Sequence, residues 1–304
     1  MSQVSGQNGA ARAVIEKGVS GQPHKGRVFV AVHAHLDDLP YFAGGLCSKL
    51  IAEGYTGYIV RATNDEHSGG STNAHNILSN EEEHARMAQV LGFKDVFELY
   101  YRNDRMEEIS KAEIRGRLLL IYRMVKADTV ISFHPEGLAG QGYSGPHMDH
   151  LVTGRAAAEA ASLGALPNEH WEHLEAGFAA RAIQERYYFC ASAEQPFNRI
   201  VDISPYIEKK IDAIAECKSQ GGGNLGSQLR ARLTQEGKRL PLLGNDDRTA
   251  DREYIRHFLL DDYRDIGKSN NLQYAERFYY VDHRPTAHSK VDEYVSKKKN
   301  AIRI

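Results

Sequence analysis

Cysteine is scarce in this sequence: Cys47, Cys190 and Cys217 are widely separated and include no CxxC pair. So few thiols argue against a disulfide framework and a thiolate zinc site, and fit reduced cysteines. Any metal must then be held through nitrogen and oxygen, and fourteen histidines supply the material. Long apolar runs are also missing. No window approaches the ~18 consecutive apolar residues that span a bilayer, and the opening MSQVSGQNGAARAVIEKG lacks a secretory apolar segment. The expectation is a cytoplasmic protein with no membrane partner. Neither sign of charge dominates: 38 Lys+Arg face 40 Asp+Glu, for a formal charge of −2 and a pI near 6.7. That balance gives no electrostatic support to a nucleic-acid partner. Internal repeats and long low-complexity tracts are absent as well.

What is present fits a folded globular chain. Of its 304 residues, 41% are hydrophobic and 26% charged, far from the composition of disorder. Residues 1–25, rich in Gly, Ser and Gln, read as a flexible arm, residues 26–283 as a single domain, and the Lys-rich residues 284–304 as a polar tail. Short β-branched runs alternate with helical spacing. RVFVAVH (27–33), TGYIVRATND (56–65), DVFELYY (95–101) and DTVISF (128–133) read as strands, with helices over 42–55, 80–92 and 106–127 between them. Further helices are expected over 149–163 and 169–182, and further strands over 186–192 and 199–204. Helices over 205–220, 224–237 and 250–267 then precede a last strand over 277–282, with GGG (221–223) as a hinge-like break. This rhythm predicts an α/β fold: a Rossmann-like open, mainly parallel sheet with helices on both faces and a helical/β C-terminal elaboration.

Two segments concentrate candidate ligands. HAHLDD (33–38) follows the first strand, and GPHMDH (145–150) ends the loop after the fourth. In an open α/β sheet, ligands bind beyond the carboxyl ends of the strands where strand order reverses. If the order is 3-2-1-4-5, strands one and four flank that crevice, and topology and polar clusters then name one place. His35 and Asp38 stand three apart, with Asp37 beside them, and His147 and His150 share that offset. One histidine of the second pair would complete a two-nitrogen, one-carboxylate set that leaves a coordination position open for water. HAHLDD also resembles the HxHxDH motif of metallo-β-lactamase-like hydrolases, but the βαβ rhythm argues against that fold. The first βα turn carries no GxGxxG, which weakens a non-catalytic nucleotide-binding reading.

AHLDD (34–38) and GPHMDH (145–150), continued by LVTG (151–154), resemble the AHPDD and HPDHxxxG motifs of the PIG-L/LmbE-like de-N-acetylases. EEEHARMAQVLG (81–92) and ISPYIEKKIDAIAECKSQ (203–220) are similar to two further segments of that family. The resemblance implies a zinc-dependent hydrolase that removes an N-acetyl group from an N-acetylglucosamine-type sugar or conjugate. It makes His35, Asp38 and His150 the ligands of Zn2+, with Fe2+, Mn2+ or Co2+ as other metals such a set accepts. Asp37 would be the general base, His147 the group facing the oxyanion, and Asp149 the group orienting His147. Leu36 stands for the usual Pro, Asn80 and Glu81 for a frequent Arg, and Cys217 for a frequent His; none of these departures removes a ligand. Arg61, Asp65 and Tyr143 are candidate substrate contacts. The loops with Asn64, Glu66 and His67 and with His134, Pro135, Glu136 and Gly137 form candidate rims. Hydrolysis of another small amide or ester at the same site is the alternative, and self-association stays open.

Overall fold

The computed structural model describes residues 13–136, 141–142, 145–190 and 195–283. Tyr143 and Gly137 lie outside the described residues, as do residues 1–12 and the tail 284–304. The first described element is a short strand, β1 (Val14–Glu16), and the first long strand, β2 (Val28–His33), leads into helix α1 (Asp38–Ala52). Strand β3 (Thr56–Thr63), helix α2 (Asn73–Leu91), β4 (Asp95–Tyr101), α3 (Lys111–Val125) and β5 (Thr129–Phe133) complete the alternating part. A short antiparallel strand pair, β6 (Gln141–Gly142) with β7 (Gly145–Pro146), precedes α4 (Met148–Leu163) and the short α5 (Trp171–Glu175). Then come β8 (Glu185–Phe189), β9 (Arg199–Asp202), α6 (Ile207–Glu216), α7 (Leu225–Gln235), α8 (Asp247–Tyr254), α9 (Asp261–Ser269) and β10 (Ala275–Asp282).

Among the described residues, eight strands form one sheet in the order β1-β9-β10-β8-β5-β2-β3-β4. The five strands from β4 to β8 are parallel and carry the 3-2-1-4-5 order under which strands one and four flank the crevice. Only β10 runs against its neighbours, pairing antiparallel with β8 and β9. The side-chain period of two sorts the strands onto two cores. Phe29 and Ala31 of β2, Ile59 of β3 and Ile131 and Phe133 of β5 pack against α1, α2 and α6. Val30, Val32, Val60, Ala62 and Val130, their alternates, pack against α3 and α4. Helices therefore cover both faces, and among the described residues none is long and apolar enough to cross a membrane.

Four local expectations are corrected. Part of the supposed flexible arm is an edge strand: β1 pairs in parallel with β9, Ile15 opposite Ile200, and Glu16 binds Lys49 and Arg199. Helix α2 starts at Asn73, seven residues before the expected start at residue 80, because the Thr72 hydroxyl caps it by accepting from the His75 amide. Residues 169–182 are mostly non-helical beyond α5; the buried Arg123 binds the carbonyls of Leu166 and Glu169, holding the turn as a knot. The triple glycine 221–223 is tightly packed and does not act as a free hinge.

Candidate metal and acid–base site

The site lies where β2 and β5 release the chain, at the reversal of strand order. Asp37 is the N-cap of α1 and His147 the N-cap of α4, and neither side chain makes a capping bond. Both are thus available for chemistry, at helix ends whose partial positive charge favours negative charge nearby. Helix α4 reaches the sheet closely because residue 154 is glycine: a Cβ there would lie 2.8 Å from the Phe133 carbonyl oxygen. That approach brings His150, one turn earlier, to stack on Phe133 with ring centroids 4.2 Å apart.

Three donor atoms converge. His35 Nδ1 and His150 Nε2 are 3.0 Å apart, His150 Nε2 lies 3.0 Å from Asp38 Oδ1, and His35 Nδ1 lies 3.6 Å from Asp38 Oδ2. Ligand atoms at about 2.1 Å from a tetrahedral zinc stand about 3.4 Å from one another, so the residues fit a small divalent ion. The surroundings orient the set as metal sites require. His35 Nε2 faces Asp149 Oδ2 at 3.2 Å, which leaves Nδ1 to the centre, and Asp149 is itself held by the amides of Asp104 and Met106. Asp38 Oδ2 accepts from the amides of Ala34 and His35. His147 also comes within ligand reach of His35 and His150, its ring stacked on that of His150.

These contacts set the protonation of the group. Burial pushes the Asp37 carboxyl up to about 7, reinforced by the charge of Asp38. Burial would push Asp38 upward too, but the charge and hydrogen bond of His150 hold it well below the usual carboxylate range. His35 is raised well above an ordinary histidine, because its bonds to Asp149 and Asp38 outweigh burial. His147 is lowered by burial and by its histidine neighbours.

The resemblance implies that Asp149 orients His147; in the structure Asp149 Oδ2 faces His35 Nε2, and Asp104 Oδ1 lies 3.8 Å from His147 Nε2. Asp104, at positive φ in the loop after β4, is a site residue that motif reading misses. With Arg102, Glu66 and His67 it forms a polar chain to His147, visible only once β3 and β4 are paired. Arg61 and Asp65 are fully buried and bonded to each other at 2.9 Å. Asp65 accepts from the Leu36 amide, so this pair braces the Leu36–Asp37 turn and has no exposed surface for a substrate. Among the described residues, Asp104, His147 and Asp149 also bring ligand atoms together, as do His170, Glu172 and His173, but Arg123 donates to His173 Nδ1. The His173 proton then sits on Nε2, leaving no nitrogen lone pair for a metal.

Residues 30–161 match the family model described as PIG-L: GlcNAc-PI de-N-acetylase. No curated protein matches the sequence. Among solved structures, the chain is similar to N,N'-diacetylchitobiose deacetylase from Pyrococcus horikoshii, with 22% identity, a TM-score of 0.65 and coverage of 87% of this chain and 88% of that one. It is similar to GalB, the 4-carboxy-2-hydroxymuconate hydratase from Pseudomonas putida KT2440, with 21% identity, a TM-score of 0.61 and coverage of 86% and 99%. Teicoplanin deacetylase Orf2, in a zinc-inhibited form, is a third, with 14% identity, a TM-score of 0.53 and coverage of 85% and 100%. At these identities the likeness is one of fold, and a fold shared with a hydratase does not by itself choose the reaction. Both ligand segments lie inside the residues 30–161 that match this family model.

Proposed function

We propose that this protein is a metal-dependent hydrolase that removes the acetyl group from an N-acetylglucosamine-type sugar or sugar conjugate. The observation that carries the reading is the convergence of His35 Nδ1, His150 Nε2 and the Asp38 carboxylate within 3.6 Å of one another, inside residues that match a de-N-acetylase family. His35, Asp38 and His150 would hold the ion, and His/His/Asp donors suit zinc while accepting Fe2+, Mn2+ or Co2+. Such an ion, when bound, polarises the amide carbonyl as a Lewis acid and makes water more acidic.

An amide is cleaved when water loses a proton and the departing nitrogen gains one. Asp37, with its carboxyl near 7, is matched to both transfers at neutral pH. It takes a proton from water as the water oxygen adds to the acetyl carbon, then passes that proton to the amide nitrogen as the C–N bond breaks. The products are acetate and a free amine. His147, kept neutral by burial and by its histidine neighbours, donates an N–H to the developing oxyanion, helped by the N-termini of α1 and α4. His67, Arg102 and Asp104, linked to one another and to His147 through ion pairs, would meet sugar hydroxyls. The amino-sugar class is supported by the family description and by the name of the diacetylchitobiose deacetylase that shares the fold.

The test is acetate release by the metal-loaded protein across a panel of N-acetylglucosamine conjugates, with Asp37→Ala as the blank. Release that depends on Asp37 is the expected result. No release from protein shown to hold metal contradicts the reading and moves weight to another amide, an ester or a different addition of water.

A further inference from the structure

The segment after α6, Cys217-Lys-Ser-Gln-Gly-Gly-Gly, lies against the proposed base, and every anchoring contact it makes is specific. The amides of Lys218 and Ser219 donate to the Glu83 carboxylate of α2 at 2.8 Å each, and the Ser219 hydroxyl donates to it as well. Gln220 Nε2 donates to Asn80 Oδ1 at 2.8 Å. Tyr41, one turn into α1, donates its hydroxyl to the Gly221 carbonyl. The Gly223 amide returns to the Cys217 carbonyl at 2.9 Å.

The loop so pinned meets Asp37 at Gly221. A Cβ there would lie 2.5 Å from Asp37 Cβ and 3.1 Å from its Oδ2, and Gly221 has φ of +72°. Gly222 has nearly the same backbone, φ +78°, but a Cβ on it would meet the Leu225 side chain, not Asp37. Two adjacent glycines thus share one conformational demand, and one of them also abuts the carboxylate.

We infer that Gly221, held by Tyr41, Asn80 and Glu83 through its loop, is a positioning residue for Asp37: the loop forms a fixed wall that sets where the base sits. The inference rests on the proposed hydrolase reading for its kinetic consequence, but the placement of Asp37 can be read without it. At Gly221 the loop after α6 thus supplies one side of the proposed site, while Gly222 faces Leu225.

The test compares Gly221→Ala with Gly222→Ala in the metal-loaded, full-length protein, reading Asp37 position by crystallography, metal content, kcat and KM. In Gly221→Ala, Asp37 must move by roughly 1 Å to restore ordinary contact, and a misplacement of that size costs about 10²-fold in turnover. The expected result is displaced Asp37, unchanged metal content, unchanged KM and the fall in kcat, while Gly222→Ala stays near wild type. An unmoved Asp37, or an equal loss in both variants, overturns the inference. If wild type releases no acetate but Asp37 still moves only in Gly221→Ala, the hydrolase reading fails and the positioning stands. Should Gly221→Ala not fold, Tyr41→Phe decides, since it removes the bond to Gly221 without adding volume: a severalfold lower kcat at unchanged KM and a shifted loop support the wall, and an unchanged loop overturns it.

Discussion

At the scale of single residues, neighbouring aspartates do opposite work because their surroundings differ. Asp38 is ionised by His150 and by two backbone amides, whereas Asp37 is raised by burial and by Asp38 itself. Asp37→Ala should therefore lower turnover by about 10²–10⁴ with metal still bound, and His35→Ala should lose the metal; metal analysis beside kinetics checks both. Beneath the site, His33 Nδ1 lies 2.6 Å from the His35 carbonyl, an acceptor, so Nδ1 carries the hydrogen and Nε2 accepts from His84 at 3.1 Å. His84 Nδ1 then meets Glu98 Oε1 at 2.6 Å, a contact that requires a proton between them. Burial pushes His84 down and Glu98 up, the latter opposed by the Arg61 guanidinium bonded to Glu98. His33 is pushed down to about 3 by burial and by His84. Its neutral form contributes stability that is fully present above the unfolded value of about 6.5 and is lost as pH falls toward 3, at up to about 1.4 kcal/mol per pH unit. Melting curves in a fixed metal state should show His33→Gln with a shallower loss between pH 6.5 and 4 than wild type; parallel curves would contradict the assignment.

At the scale of elements, α1 is tied to the rest of the fold in its middle as well as at its ends. The Gly45 and Leu46 amides donate to Glu276 of β10 at 2.8 Å, and Lys210 of α6 bridges Glu276 and the Tyr41 carbonyl. Both charged side chains are fully buried. Removing one partner strands the other, so Lys210→Met should cost about 3–5 kcal/mol, read as a large fall in melting temperature. The exposed cluster of Arg252 and Arg256 on Glu208 is a contrast: water screens it, and Arg256→Ala should cost less than about 1 kcal/mol. Both substitutions rearrange charge around α6, but only the first should loosen α1, which carries Asp37 and Asp38 at its start.

At the scale of the whole molecule, what was legible in the sequence is what depends on local periodicity. Alternating apolar runs gave the parallel strands and the helices between them, and two polar clusters at strand ends pointed to the crevice. Contacts set by tertiary structure were not legible. Residues 73–79 read as a polar loop, yet Thr72 caps them and Asn76 and Asn80 tie them to the loop before α2. GGG read as freedom because sequence cannot show what occupies the space a side chain would take. Asp104 was missed because only the pairing of β3 with β4 brings its loop to His147, and Arg61 and Asp65 looked like substrate contacts because charge alone does not reveal a buried pair.

The most direct test of the account is to quantify acetate and primary amine from one reaction, with wild type and Asp37→Ala at equal metal occupancy. The account predicts equal amounts of both products from wild type and near-complete loss of both in the variant. Amine release that survives in Asp37→Ala, or a product formed without free amine, would contradict it.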